Sequence, residues 1–503
     1  MLDKIRFARA AVSLGLFAVA ACAQKAPTAP VPSATPRWIP KPSPTWTAAQ
    51  RDDLEHTLAS IFADDITRSA TGLAVVADDG STLFDRRATV AVAPASTLKL
   101  VIAASALDLL GPNYRFETRF EASVPQEPVG ALKGDLWLVG GGDPTLTSDD
   151  LRRGVGVLYR SGIRQIDGAL GVDATAFSGP EQNPRWDPDD LTYGYAAGTS
   201  AISLDEDTVE FDVSPDPAGG DARIAVVPEN DSITFQGRIR TVAAGSDSEV
   251  TIERRPDAAH PSQTDPHNEF DVDGYIAQGE TQKFYKPVLG LPGYVAGAVG
   301  SMLEDRGISL AAGSRSGTAP LEGIALWDHR SQPLSSIVRE MLVDSNNHTA
   351  ETLLRIIGEQ NGRAGTDAAG IAVEKRELSH LGVPRDRMAV YDGSGLAPSD
   401  RIMPLTLAKL VSAVARGPVG DVFVRSLPLA GIEGTVKHHD LHAALGRTRA
   451  KSGHIEDVNG LAGTIATAHH GRVAFAFVVN DPRADASVVY EEEDRALDAL
   501  AQY

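Results

Sequence analysis

Residues 93–111 have the sequence APASTLKLVIAASALDLLG, and this stretch decides the fold of the chain. From Thr97 onward the run is almost wholly apolar around the helical wheel, and it stops at Gly111-Pro112. A helix that is apolar all round is a buried one, and a Gly-Pro pair ends it. We therefore predict a core helix with Ser96 at its start.

The first four residues of this helix carry a possible catalytic pair. Ser96 and Lys99 are three residues apart, so a helix brings both side chains to one face. A serine hydroxyl needs an adjacent base to become a nucleophile, and a lysine is such a base when burial or a neighbouring cation lowers its pKa. The alternative is a helix-capping serine beside a solvated lysine, because S-x-x-K occurs by chance in many helices.

A second motif, Ser345-Asn346-Asn347, lies within LVDSNNHTAETLL at or near a predicted helix start. Its hydroxyl could relay a proton to a leaving amine, and its amide could hold a substrate backbone and the lysine. Taken alone, the motif fits simple helix capping by Ser and Asn equally well.

A third motif, Lys451-Ser452-Gly453, lies on or just after a predicted strand. A strand edge binds an extended peptide through main-chain hydrogen bonds, and Gly453 permits close backbone approach. Lys451 would attract a substrate carboxylate and help lower the pKa of Lys99. The alternative is an edge-strand lysine that discourages aggregation.

The flanking sequence predicts the domain organisation. Asp79-Gly80 marks a hairpin over residues 72–85. Helical patterns cover about 289–306, 331–359, 367–381 and 404–416, and strands cover about 447–451, 459–467 and 472–480, before a helix from about 484. This order predicts one α/β (α+β) domain, residues 46–115 and 284–503, whose sheet joins both chain ends. Residues 116–283 are rich in strands and turns, and we expect a β-rich insertion of one or two subdomains.

The first 45 residues have the pattern of an export signal and a linker. Residues 1–22 carry basic residues, then an apolar run too short to span a bilayer, then Cys22. The residues before Cys22 resemble a lipoprotein cleavage box, so we expect a lipidated cysteine that tethers the protein to a membrane. An ordinary signal cut at an Ala-x-Ala site is the alternative. Residues 23–45 are a proline-rich spacer. Either way we expect an exported, periplasmic or cell-envelope protein.

Composition excludes several classes of partner. The chain has 67 acidic and 47 basic residues, a net charge of -20, which argues against nucleic acid. One cysteine allows neither an internal disulfide nor a multi-cysteine metal site. His438, His439, Asp440 and His442 offer possible metal ligands, but no H-E-x-x-H is present, and we predict no metal and no cofactor.

The three motifs in this order resemble those of the penicillin-binding proteins and β-lactamases. Within that superfamily the chain resembles the peptidase S13 family, the D-alanyl-D-alanine carboxypeptidases/endopeptidases or class C low-molecular-mass penicillin-binding proteins. The resemblance covers about 46–500 and includes the long insertion between the first two motifs. Further matching stretches are GDLWLVGGGDPTL (134–146), GALGVDATAF (168–177), RWDPDDLTYGYAAGTSAISL (185–204), YDGSGLAPSDRIMP (391–404) and GIEGTVKHHDLHAALGRTRAKSGHIEDVNGLAG (431–463).

This resemblance implies a β-lactamase-like serine transpeptidase fold and a serine-type D-Ala-D-Ala carboxypeptidase, with DD-endopeptidase activity as an open addition. It implies that Ser96 is acylated, that Lys99 takes its proton, and that Ser345 passes a proton to the departing D-alanine. Asn347 would contact the peptide. The implied partners are peptidoglycan stem peptides and β-lactams, which would be trapped at Ser96 as stable esters.

The resemblance also implies a substrate-binding set. Lys451 and Ser452 would hold the terminal carboxylate, and the backbone N–H groups of Ser96 and His454 would form the oxyanion hole. Asp190 matches the family aspartate that meets the far end of a diaminopimelic-type side chain.

The chain departs from the family in three places. The third motif is Lys-Ser-Gly instead of Lys-Thr-Gly, so the hydroxyl survives. His454 stands where threonine or serine is common, which puts a side-chain contact there in doubt. Ala397-Pro398 replaces a common Ser-Arg pair, so the preference at the side-chain subsite is open.

Two rival functions remain. One is a catalytically idle peptidoglycan- or penicillin-binding module, which the intact Ser96, Lys99, Ser345 and Lys451 set argues against. The other is a β-lactamase, which the long insertion and the lack of an obvious deacylating glutamate after the first motif argue against.

Overall fold

The computed structural model describes residues 45–503 except 64–70, 124–129, 256–267, 482 and 484. The described residues belong to one compact unit. The predicted signal, Cys22 and almost all of the linker lie outside the described residues. Among the described helices, none combines the length and apolar character needed to cross a membrane.

The helices and strands are numbered in chain order. The helices are α1 (Ala48–Ile61), α2 (Lys99–Leu110), α3 (Ser148–Arg160), α4 (Leu291–Asp305), α5 (Leu334–Asp344), α6 (Asn347–Gly362), α7 (Asp367–His380), α8 (Pro404–Ala415), α9 (Gly420–Ser426) and α10 (Ala486–Gln502). The strands are β1 (Thr71–Ala77), β2 (Thr82–Arg86), β3 (Glu117–Ala122), β4 (Gly130–Leu132), β5 (Leu136–Gly140), β6 (Ile163–Ile166), β7 (Leu170–Asp173), β8 (Thr208–Ser214), β9 (Arg223–Val227), β10 (Ile233–Val242), β11 (Glu249–Arg254), β12 (Asn268–Ala277), β13 (Gln282–Pro287), β14 (Ser309–Leu310), β15 (Ser314–Ser316), β16 (Ile324–Arg330), β17 (Thr448–Ile455), β18 (Val458–Ala466) and β19 (Arg472–Asn480).

A five-stranded antiparallel sheet joins the two ends of the chain, in the order β17-β18-β19-β1-β2. Successive side chains of a strand point to opposite faces. Leu73 and Val75 of β1 therefore lie in a core with α1 and α10, whereas Ala74 and Val76 lie in a core with α2 and α8. Because helices cover both faces, all of β1 is buried. This sheet confirms the mixed α/β prediction.

The helix that the sequence places at the centre of the fold is α2, preceded by a 3₁₀ turn over Ala95–Leu98. Its residues from Lys99 to Leu107 are all buried, beneath α5, α6, α7 and α8. Burial of the apolar helix carries the amine of Lys99 into the protein interior.

A second layer of strands is built around its own hydrophobic core, which includes residues of α3 and α4. Its sheets have the orders β15-β7-β5-β3-β16, β14-β6-β4, β13-β8-β9 and β10-β12-β11. We call this layer the inserted block. Strands β14 to β16 pair with earlier strands of this block, and α4 packs in the same core. We therefore propose that the block extends to about Arg330 and not only to residue 283.

Residues 180–199 connect the inserted block to the helices around α2. Arg355 of α6 is buried and donates to the carbonyl oxygens of Thr199 (2.9 Å) and Pro180 (2.6 Å). Asn183 donates to the carbonyl oxygen of Tyr391 (2.8 Å), and Trp186 Nε1 donates to Asp392 (2.9 Å). These contacts fix the segment beside the Ser345-Asn346-Asn347 motif, called the SNN motif below, and beside residues 392–396, called the DGSGL loop.

Candidate active site

Ser96 lies half-buried in the 3₁₀ turn, between buried neighbours. Ala95 before it has a φ of 45°, in the left-handed region that non-glycine residues seldom adopt. Gly395 packs against this turn, since a Cβ there would lie 2.0 Å from the carbonyl oxygen of Ala95. A glycine at 395 therefore lets the DGSGL loop approach the turn that presents the hydroxyl of Ser96.

Lys99 has three acceptors around its amine. Nζ lies 2.8 Å from Ser96 Oγ, 2.6 Å from Asn347 Oδ1 and 3.0 Å from the carbonyl oxygen of Ser394. Burial lowers the pKa of Lys99 to about 7, although the nearby carboxylates of Asp392 and Glu351 raise it. The amine is therefore poised to exchange a proton near neutral pH.

Those two carboxyl groups were not predicted from the sequence. Asp392 is buried and accepts from Trp186 Nε1 and from the N–H groups of Gly395 and Ala397 at 2.7–2.9 Å. Glu351 accepts from the N–H of Ser394 (2.9 Å), and burial raises the pKa of Glu351 to about 8. One signal was available, because Glu351 follows Asn347 by four residues and so shares its helix face.

The Ser345-Asn346-Asn347 turn separates α5 from α6. Ser345 ends α5 in the left-handed conformation, with a φ of 60°. Asn346 caps α6 by accepting from the N–H of Thr349 (2.8 Å), so the capping interpretation holds for this residue. Asn347 instead bridges Lys99 and the carbonyl oxygen of Tyr195, to which its Nδ2 donates at 2.8 Å.

Strand β17 brings the third motif to the turn of Ser96. A Cβ on Gly453 would lie 2.9 Å from the carbonyl oxygen of Pro94 and from the nitrogens of Ser96 and Thr97. Glycine at 453 therefore allows the strand to lie directly against the turn.

The side chains of the third motif have different surroundings. Lys451 is buried and donates to the carbonyl oxygen of Ser452 (2.6 Å). Burial holds the pKa of Lys451 well below its usual value, and the nearby Lys99 lowers it further. Ser452 Oγ donates to Thr435 Oγ1 (2.7 Å), and the exposed ring of His454 lies 2.9 Å from Asn459 Oδ1.

Strand β17 is an edge strand of the central sheet. The N–H of Ala450 points away from β18, since it donates to the carbonyl oxygen of Pro428 (3.1 Å). Backbone groups of a strand alternate in direction with a period of two residues. The main-chain groups of Ser452 and His454 therefore also point away from β18, towards the side where an extended peptide could pair.

Asp190 lies at the rim of the site, in a short 3₁₀ turn. It accepts a hydrogen bond from the hydroxyl of Tyr195 (2.6 Å), whose carbonyl oxygen meets Asn347. The rings of Tyr193 and Tyr195 stack with centroids 5.4 Å apart, and both are about half exposed, at 53% and 49%.

A cleft of ≈ 890 Å³ opens beside Ser345 and Asn347 and runs past Tyr195 and Tyr285. No lysine or arginine is among the described residues that line it. Five carboxylate side chains do line it, those of Asp205, Glu206, Glu210, Glu340 and Asp344. The cleft is therefore acidic and begins at the SNN turn.

Possible metal ligands lie away from this site. In the part of the chain that the structure describes, Asp108, Glu377 and His380 bring one ligand atom each within 4.8 Å of the others. Asp108 is near the end of α2 opposite Lys99. Of the histidines weighed from the sequence, His439 is buried and pairs with Asp494 (2.6 Å).

Comparisons with known proteins agree with the fold and with the family resemblance. A family profile described as the D-Ala-D-Ala carboxypeptidase 3 (S13) family matches residues 54–503. The chain is 30% identical over 473 residues to a D-alanyl-D-alanine carboxypeptidase of Actinomadura sp. (strain R39), covering 90% of this chain and 86% of that protein.

Solved structures give the same architecture. Penicillin binding protein 4 (dacB) from Haemophilus influenzae matches with a TM-score of 0.75 and 22% identity, over 89% of this chain and 99% of that one. The same protein complexed with a novel β-lactam matches with a TM-score of 0.69 and 21% identity, over 89% and 99% of the two chains. These likenesses establish the fold.

Proposed function

The chain belongs to the D-Ala-D-Ala carboxypeptidase 3 (S13) family, and we propose that it is a serine-type D-Ala-D-Ala carboxypeptidase that acts on peptidoglycan stem peptides through an acyl-enzyme on Ser96. The observation that carries this proposal is the amine of Lys99, which is buried, has a pKa of about 7 and lies 2.8 Å from Ser96 Oγ. A nucleophile and a base within hydrogen-bond reach are the first requirement of acyl transfer.

In the first step, the neutral amine of Lys99 takes the proton of Ser96 Oγ as the oxygen attacks the carbonyl carbon of the penultimate D-alanine. The oxyanion of the tetrahedral intermediate accepts from the N–H groups of Ser96 and His454. Hydrogen-bond donors that are fixed where negative charge develops usually give the largest stabilisation of the transition state. The edge position of β17 against the Ser96 turn supports this assignment.

In the second step, the C–N bond breaks and the terminal D-alanine leaves as an amine. The proton that it needs comes from Lys99 by way of the hydroxyl of Ser345. Asn347 holds Lys99 and the peptide backbone, and Lys451 and Ser452 hold the terminal carboxylate. Water then hydrolyses the ester on Ser96 and regenerates the hydroxyl.

β-Lactams mimic the D-Ala-D-Ala amide, so we predict that labelled penicillin forms a covalent ester on Ser96. The complex of the Haemophilus influenzae relative with a β-lactam supports this expectation. Intact-protein mass spectrometry should show the mass of one antibiotic added to the wild type and none added to Ser96→Ala. Peptide mapping should place the added mass on residue 96, and the wild type should release D-alanine from a D-Ala-D-Ala peptide.

The same measurement separates the rival functions. A wild type that gains no mass and releases no D-alanine would be the idle binding module. Rapid turnover of penicillin without a surviving adduct would instead indicate a β-lactamase.

We propose DD-endopeptidase action as a second activity, because of the cleft beside Ser345. The departing amine leaves on the side of Ser345, and clefts of 300–1,000 Å³ hold ligands much larger than one amino acid. At ≈ 890 Å³, this cleft has room for the peptide that leaves when a cross-link is cut.

A further inference from the structure

His348, the residue after Asn347, connects the SNN turn to the inserted block. It is 4% exposed, and its Nε2 lies 3.1 Å from Asp207 Oδ2 and 3.1 Å from Ser203 Oγ. Both partners are buried and precede β8 in the inserted block. One side chain therefore joins the start of α6 to a different layer of the molecule.

The carboxylate of Asp207 is held in place for this contact by other hydrogen bonds. It is fully buried, its Oδ1 accepts from the N–H of Leu204 (3.1 Å), and its Oδ2 accepts from Ser203 Oγ (2.9 Å). An ionised carboxylate only accepts hydrogen bonds, so the hydrogen of the contact belongs to Nε2 of His348. The imidazole is thereby held in one orientation, with Nε2 towards Asp207 and Ser203.

The backbone around Asp207 is strained. Asp205, Glu206 and Asp207 have φ values of 49°, 58° and 54°, three consecutive left-handed residues without a glycine. Such conformations persist where the surroundings fix them, and they concentrate at functional sites. Here the strained turn presents the carboxylate of Asp207 to His348.

Other contacts also hold the SNN turn, among them the cap that Asn346 makes on α6. Asn347 contacts Lys99 and the carbonyl oxygen of Tyr195, while Ser345 has a left-handed backbone between two helices. A displacement of about 1 Å in a catalytic group costs up to ~100-fold in rate. A buried anchor one residue after Asn347 would prevent such a displacement.

We propose that His348 is a positioning residue: with Asp207 and Ser203 it fixes the SNN turn to the inserted block, so that Asn347 stays in place beside Lys99 and Ser345 keeps its position in the turn. This proposal deepens the proposed function, on which its kinetic part rests. It gives the inserted block a direct part in setting the geometry of the reaction.

The test compares His348→Leu, which removes the contact, with His348→Gln, which can keep an N–H near the position of Nε2. We expect His348→Leu to lower kcat for D-alanine release about 10- to 100-fold, with KM changed less than about twofold. His348→Gln should recover most of kcat. Adding Asp207→Asn to His348→Leu should cost little more, because the two groups act as a pair.

Amide hydrogen exchange supplies a readout that does not need activity. Exchange of residues 344–348 should accelerate in His348→Leu and not in His348→Gln. The matched control is His329→Leu, which removes another histidine that faces aspartates, Asp143 (3.5 Å) and Asp150 (3.4 Å), and that lies on β16. It should leave kcat and this exchange unchanged.

Folded His348→Leu enzyme with wild-type kcat and wild-type exchange at 344–348 would overturn the positioning role. So would His348→Gln that is as slow as His348→Leu. A wild type that releases no D-alanine would count against the proposed function alone, since the exchange experiment still decides whether His348 fixes the turn.

Discussion

At the scale of the residue, the proposed chemistry depends on the buried amine of Lys99. The sequence predicts that Lys451 helps to lower the pKa of Lys99. In the structure, burial is the largest cause, and the carboxylates of Asp392 and Glu351 work against it. The repulsion between the two ammonium groups instead lowers the pKa of Lys451, because Lys99 lies nearby. The pKa of Lys99 is thus a balance between desolvation and buried acids, which no motif contains.

This balance predicts how the rate depends on pH. Lys99 is a base only when neutral, so acylation of Ser96 should fall as pH drops through about 7. Asp392→Asn removes the carboxylate that raises the pKa of Lys99 most, so the acidic limb of the acylation rate should move to lower pH. Stopped-flow acylation by a chromogenic β-lactam from pH 5 to 9 measures this limb.

Glu359→Gln is the matched control, since it also removes one acidic group, from an exposed residue of α6. Its pH profile should coincide with that of the wild type. An acidic limb that stays in place or moves upward in Asp392→Asn would contradict the assigned electrostatics.

At the scale of the element, the edge strand β17 packs against the Ser96 turn and also presents main-chain groups on the side away from β18. Gly453 lets it lie against the Ser96 turn, and the main-chain groups of Ser452 and His454 point outward. The sequence predicts both the strand and the need for glycine. It does not predict that Nδ1 of His454 lies 2.9 Å from Asn459 Oδ1. The oxyanion role that we propose for His454 belongs to its backbone N–H.

A proline at 454 tests that backbone role. Proline removes the N–H and is tolerated on edge strands, so His454→Pro should keep the fold. We expect kcat to fall about 10²- to 10³-fold, the usual cost of one oxyanion-hole donor. His454→Ala keeps the N–H and should remain within about threefold of the wild type. Equal rates for the two variants would remove the His454 amide from the mechanism, with folding checked by circular dichroism.

At the scale of the whole molecule, the inserted block completes the site. Residues 180–199 bring Tyr195 to Asn347, Trp186 to Asp392, and two carbonyl oxygens to Arg355. The acidic cleft has one wall from α5 and the other from the inserted block. Its size and place bear on which leaving groups the enzyme accepts.

Filling the cleft should separate the two proposed activities. Glu340 is an exposed cleft residue on α5, so Glu340→Trp adds bulk there without entering a core. Cleavage of cross-linked peptidoglycan dimers should fall at least about fivefold relative to release of terminal D-alanine, because only the larger leaving group needs the cleft. Chromatography of digested muropeptides measures both products.

Glu359→Trp places the same ring on an exposed face of α6 and should leave the ratio of the two products unchanged. An unchanged ratio in Glu340→Trp as well would show that the leaving peptide takes another path.

Local patterns in the sequence determined many of the helices, strands and turns of this protein. The hairpin around Asp79-Gly80, the buried helix after Ser96 and the closing strands follow from hydrophobic periodicity and turn chemistry, which act between near neighbours in the chain. The S-x-x-K spacing alone brings Ser96 and Lys99 to hydrogen-bond distance, because a helical turn fixes it.

Only the tertiary structure decided what surrounds that pair. The Asn347 contact, the counter-charges of Asp392 and Glu351, the bridge from His348 to Asp207 and the acidic cleft join segments up to hundreds of residues apart. Such contacts depend on how separate layers pack, and desolvation depends on everything that packs around a group. A linear pattern records neither, so the sequence predicts the reacting groups while the fold sets their protonation, orientation and access.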